Sequence, residues 1–132
     1  MILAGRRIND SMASFVAQDI VKTMLRKRLR VDGARILILG FTFKQNCPDV
    51  RNTKVFDLYN ELKAFGHHVT IYDPLALADE VKTEYGIDLA AEMPNGPFDA
   101  AVLAVRHDAF AALGEQKLRD LLVPGGLVYD LK

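Results

Sequence analysis

Lys44 and Arg51 are the side chains best placed in this sequence to do chemistry. Both lie in the stretch Gly40-Phe41-Thr42-Phe43-Lys44-Gln45-Asn46-Cys47-Pro48-Asp49-Val50-Arg51, which follows the apolar run Ile36 to Leu39. An amphipathic segment begins just beyond it, near Thr53. Two cations ahead of a helix N-terminus suit a phosphate or diphosphate, and the arginine fork can make two parallel hydrogen bonds to one such group. A buried strand that ends in a polar loop feeding a helix is how open α/β sheets build ligand sites. The stretch is therefore expected to hold part of a nucleotide-type anion. A surface lysine and an arginine paired with Asp49 remain the alternative for the two cations. Phe43 could cover a base or a sugar, but packing in the core or loop is the commoner use of such an aromatic.

Other motifs for the same job are missing. Gly40 is followed by Phe41, Thr42 and Phe43, so there is no G-x-G-x-x-G cradle for a dinucleotide and no G-K-[ST] of a P-loop. Glycine at the strand end also argues against a phospho-acceptor aspartate. Cys47 has no neighbouring base to activate it, so no nucleophile is expected there, and no catalytic residue is assigned. His67 and His68 precede an early strand, away from the loop, and no metal site is expected. His107 ends an apolar run near the loop and reads first as structural. Asp73 is followed by proline and reads as an Asp-Pro turn rather than a ribose ligand. Asp130 and Lys132 close the last apolar run, with their roles left open.

These residues need elements to position them. Apolar residues from Met12 through Phe15, Val16, Ile20, Met24, Leu25 and Leu29 repeat at helical spacing, after capping side chains at Asn9, Asp10 and Ser11. A long helix is expected over 9–30, with the basic run Arg26 to Arg30 solvated and matched to its dipole. It has little sheet of its own to cover, so it should pack partly on another copy or another domain. Strands are expected at 35–39, 68–72, 87–89, 98–105 and 127–131, and helices at 53–65, 75–85 and 115–122, with a helical turn at 109–113. Alternating strands and helices imply a parallel sheet with right-handed crossovers. The fold class is α/β: a three-layer, Rossmann-like open sheet of about five strands, preceded by a long N-terminal helix. The expected strand order is 87–89, 68–72, 35–39, 98–105, 127–131. It reverses between 35–39 and 98–105, where ligands gather beyond the carboxyl ends of the strands.

The totals fit one such domain. The chain has 132 residues, and half are apolar. Lysine and arginine balance aspartate and glutamate at 17 each, so neither nucleic acid nor an anionic membrane is expected as a partner. The single cysteine rules out an internal disulfide and fits a reducing compartment, and a cytoplasmic location is expected. No apolar run approaches the roughly 20 residues of a membrane span. The Arg6-Arg7 pair follows a very short apolar stretch, the wrong order for a signal peptide. Both ends look cut, so a piece of a longer protein is expected.

The loop, from Gly40 through Lys44 and Asn46-Cys47-Pro48-Asp49 to Thr53, closely resembles the C-terminal nucleotide-sugar-binding domain of the UDP-glucose/GDP-mannose dehydrogenase family. Gly5 to Met12 looks like the start of that family's central helix, and Tyr72-Asp73-Pro74 and Ala104-Val105-Arg106-His107 match in type and order. The likeness covers essentially the whole chain, and the loop wording is most similar to the branch that oxidises UDP-N-acetylhexosamines for surface polysaccharides. The resemblance implies an enzyme that turns the C6 alcohol of the sugar into a carboxylate with NAD. It implies that Phe43 and Lys44 contact the UDP-sugar and that Arg51 reaches NAD bound mainly by an N-terminal domain. It also implies that residues 1–31 carry the central helix of a homodimer and 32–132 the UDP-sugar-binding domain. The family's G-x-C-x-x-K-D segment, with its catalytic cysteine, is missing, and Cys47 is not its equivalent. This chain should then bind UDP-sugar without oxidising it unaided. The rival expectation is a stand-alone nucleotide-binding or dimerisation module.

Overall fold

The structure, a computed structural model, describes residues 2–29, 33–41, 55–90, 97–105, 107, 110 and 114–130; side chains of 2–13, 114–116 and 130 lie outside that description. Its elements are α1 (Ile2–Arg26), β1 (Arg35–Leu39), α2 (Val55–Ala64), β2 (His68–Tyr72), α3 (Ala78–Tyr85), β3 (Phe98–Leu103), α4 (Gly114–Asp120) and β4 (Leu122–Asp130). The strands form a parallel sheet in the order β2-β1-β3-β4. The order therefore reverses between β1 and β3, as the apolar runs predict.

The two central strands are buried on both faces, which is why they read as unbroken apolar runs. Ile36 and Ile38 face a cluster with Ala17, Ile20 and Met24 of α1, Leu58 and Leu62 of α2, and Val81 of α3. Leu37 and Leu39 face the other side, with Phe98, Ala101, Phe110, and Leu118 of α4. The result is the expected three layers. In the central pair, β1 and β3, Ile36 lies opposite Ala100 and Leu39 opposite Leu103.

Several expectations are corrected. The described sheet has four strands, because Ile87 to Leu89 form no strand. That segment passes beside β2 with one backbone bond, Ala90 N–H to Ile71 C=O at 2.9 Å, and buries Ile87. A single bond does not make a ladder. α1 starts at Ile2 rather than at residue 9, so the helix runs straight through the capping triplet Asn9-Asp10-Ser11. Phe15 and Leu25 point outward, 67% and 60% exposed, while Ala17, Ile20 and Met24 are fully buried. The helix thus covers its own domain with a narrower stripe than the pattern suggests. β4 starts at Leu122 rather than at residue 127, and passes through Pro124-Gly125-Gly126, residue types that favour a turn. An irregularity in the β3–β4 register, between the Phe98–Leu122 and Ala100–Leu127 pairs, accommodates those residues.

α1 ends in a Schellman arrangement. Leu29 N–H reaches Met24 C=O at 2.8 Å and Arg28 N–H reaches Leu25 C=O at 3.1 Å. Arg28 sits at φ 60° in the left-handed position that glycine usually takes. Tyr129 Oη donates to Asp19 Oδ2 at 2.7 Å, tying α1 to β4. No helix among the described residues is long and apolar enough to cross a membrane.

Candidate functional site

The loop singled out by its charges leaves the sheet from the end of β1. Gly40 makes the exit at φ 102°. Its N–H bonds Tyr72 C=O of β2 at 2.9 Å, while Leu39 C=O accepts Ala104 N–H of the β3 exit at 2.9 Å. A Cβ at position 40 would stand 2.6 Å from Val105 Cβ and 2.8 Å from Val105 N. Glycine is required here for both space and backbone conformation. Phe41 follows, fully buried, with its ring edge-on to Tyr85 of α3 at 5.2 Å. The aromatic anchors the root of the loop in the core.

Asp73, at the end of β2, is the hub of this sheet edge. Its Oδ2 accepts Phe41 N–H at 2.7 Å. Its Oδ1 accepts Leu75 N–H at 2.9 Å and Ala76 N–H at 3.3 Å. His107 Nε2, beyond the end of β3, lies 2.9 Å from Asp73 Oδ2, and neither side chain has any exposed surface. With three amides already donating to the carboxylate, the compatible tautomer is the one in which Nε2–H donates as well. The His107 ring also packs against Phe110, with centroids 5.5 Å apart, and Phe110 reaches Tyr72 at 6.3 Å. One carboxylate thus connects the exits of β1, β2 and β3.

The expected turn role of Asp73 is present in its bonds to Leu75 and Ala76, and it is only half of what the side chain does. Its pairing with His107 was missed because each residue reads blandly alone. The signal was in the strand order. With β1 flanked by β2 and β3, the residues ending those two strands must meet over the β1 exit.

Phe43, Lys44 and Arg51, the residues expected to contact UDP-sugar and NAD, lie outside the described residues, as do Cys47, Asp49 and Lys132. At the opposite end of the sheet, Arg35 N–H donates to Asp99 Oδ2 at 2.9 Å and its guanidinium donates to Pro97 C=O at 3.1 Å. His67 is buried there, and neither ring nitrogen has a hydrogen-bond partner among the described residues. Burial pushes its imidazole below the usual histidine range, and Asp99 pulls the other way.

Comparison with known proteins bears on the domain as a whole. The UDP binding domain of the UDP-glucose/GDP-mannose dehydrogenase family matches residues 37–132. The chain is 45% identical over its full length to UDP-N-acetyl-D-glucosamine 6-dehydrogenase of Pseudomonas aeruginosa, and spans 31% of that protein. It is 43% identical, also over its full length, to the enzyme of the same name from Salmonella typhi, again spanning 31%. Among solved structures, NDP-N-acetyl-D-galactosaminuronic acid dehydrogenase from Methanosarcina mazei Go1 superposes with a TM-score of 0.77 at 18% identity, over 98% of this chain and 31% of that one. At that identity the likeness is one of fold. The chain spans under a third of the length of the relatives it matches.

Proposed function

The chain belongs to the UDP-glucose/GDP-mannose dehydrogenase family, and from that membership we propose that it is the nucleotide-sugar-binding domain of an NAD-dependent UDP-N-acetylhexosamine 6-dehydrogenase. The enzyme would oxidise the C6 alcohol of the sugar to a carboxylate for surface polysaccharide synthesis, in the cytoplasm. This domain would hold the uridine diphosphate; oxidation would occur at groups on another domain of the same protein. Phe43 would lie against the nucleotide sugar and Lys44 would neutralise a phosphate. The exposed Phe15 and Leu25 of α1 support its role as the dimer helix.

The observation that carries the reading is one of position. The family match spans the whole of the loop 42–54, and the root of that loop is anchored at the reversal of strand order, where ligands of open α/β sheets collect. The residues at this edge do not fit a complete dinucleotide site. After Gly40 the chain turns inward at the buried Phe41, with no further glycine to let a pyrophosphate approach the backbone. No step is therefore routed through NAD here. Arg51 is proposed only to reach NAD that another domain holds.

The test is calorimetric titration of UDP into the full-length protein. Wild type should bind, and Lys44→Ala should weaken binding about tenfold, as loss of one charge-assisted hydrogen bond of roughly 1.5 kcal/mol predicts. Undiminished affinity in Lys44→Ala, or no binding in wild type, would overturn the reading.

A further inference from the structure

We infer that Asp73 and His107 are positioning residues for the nucleotide site, forming a buried clasp that sets where the loop 42–54 leaves the sheet. The inference rests on the function proposed above. Neither residue is placed in contact with the ligand; both act through the loop.

An Asp-Pro turn needs only the bonds that Oδ1 makes to Leu75 and Ala76, because those close the turn after β2. Oδ2 is used for something else. It receives Phe41 N–H from the β1 exit and His107 Nε2–H from the β3 exit, and these lie 32 and 34 residues away in sequence. Burying a carboxylate and an imidazole together at a sheet edge costs desolvation, and an apolar pair of similar volume would pack there without that cost. What an apolar pair cannot do is fix a direction. A hydrogen bond to Phe41 N–H orients the peptide plane immediately before the loop, and Phe43 and Lys44 follow at once in the chain.

His107 holds the carboxylate in turn. With its side chain fully enclosed and its ring packed on Phe110, it limits Asp73 to the rotamer that faces Phe41. The β3 exit is itself pinned, since Ala104 and Val105 N–H both bond Leu39 C=O, at 2.9 and 3.3 Å. The loop root is therefore held from both flanking strands. A shift of either flank would be passed to the Phe41 peptide through these hydrogen bonds rather than through loose packing. Preorganisation of this kind shows in ligand affinity.

The contrast of His107→Gln with His107→Asn tests the clasp. Glutamine places an N–H donor where Nε2 stands, while asparagine places it nearer the Nδ1 position. Two readouts on the full-length protein are needed. The first is the Kd for UDP. Glutamine should keep it within about twofold of wild type, and asparagine should raise it about tenfold. The second needs no ligand: amide hydrogen exchange of Phe41 and of residues 42–54. Protection at Phe41 should persist in His107→Gln and fall at least tenfold in His107→Asn. Equal affinity and equal Phe41 protection in the two variants, at a temperature where both are folded, would overturn the clasp. If asparagine prevents folding, wild type is compared with His107→Gln and with Asp73→Asn. Phe41 protection must then survive the first and fall in the second. Loss of UDP binding in wild type would strike the functional reading alone, because the exchange arm still decides the clasp.

Discussion

Gly40 and Val105 approach so closely that a single methyl group would not fit between them: a Cβ on Gly40 would lie 2.6 Å from Val105 Cβ. This contact draws the exits of β1 and β3 together beneath the loop. Gly40→Ala should therefore cost about 2–5 kcal/mol, the sum of a strained positive φ and an overpacked contact with backbone. Urea denaturation should show a lower midpoint with an unaltered slope. UDP affinity should fall with it, because the loop root must shift.

Tyr129 and Asp19 give a second measurable link. Tyr129→Phe should cost about 1 kcal/mol, the usual worth of one partly buried hydrogen bond. The tyrosine is pushed up to about 12 by burial, by its hydrogen bond to Asp19 and by the Asp19 charge. A raised folded-state value favours the neutral phenol in the native protein. Its contribution is complete below pH 10 and is lost as the pH climbs from about 10 to 12. Circular dichroism melts across that range should fall more steeply for wild type than for Tyr129→Phe.

His67 is predicted to be a cost to the fold. Two buried ring nitrogens without partners among the described residues carry a desolvation penalty of roughly 1–3 kcal/mol. His67→Leu should therefore raise stability by about 1 kcal/mol at neutral pH. The native imidazole is held below its ordinary value of 6.5, so the unfolded chain binds the proton more readily. Stability is complete above pH 6.5 and falls as the pH drops through the lowered value. Denaturant midpoints between pH 7 and 5 should decline in wild type more than in His67→Leu.

Arg28 occupies a left-handed position at φ 60°, which costs a side-chain-bearing residue about 1–2 kcal/mol. Arg28→Gly should recover roughly 0.5–1 kcal/mol of this, read as a higher Tm. The Schellman bonds of Leu29 and Arg28 are made by backbone and should be kept.

Much of this architecture was legible in the residues. β1 coincides with the apolar run at 35–39, and the order around it follows from parallel crossovers. What was hidden has physical causes. Asn9, Asp10 and Ser11 have capping side chains, but a cap is an option the chain need not take, and α1 continues through them. Phe15 and Leu25 are apolar without being inward, since helical spacing marks a stripe but not its width. Pro124-Gly125-Gly126 spells a turn, yet an irregular register carries it inside β4. Of the candidate site, sequence placed His107 near the loop, while Asp73 read only as an Asp-Pro turn. Their bond required knowing that two strand ends 34 residues apart meet above a third. The roles expected of Phe43, Lys44 and Arg51 rest on the family loop they resemble.

The seam between α1 and β4 also has a consequence for how the domain is made. Asp19 and Tyr129 are separated by 110 residues, so at ribosomal speeds of about 5–20 residues per second the helix emerges roughly 5–22 s before its partner. During that interval Ala17, Ile20 and Met24 can be covered by the earlier members of their cluster, among them Ile36 and Ile38 of β1 and Leu58 and Leu62 of α2, but not by Leu127 of β4. The oily stripe of the nascent helix is therefore sealed in full only when β4 arrives with Leu127 and Tyr129.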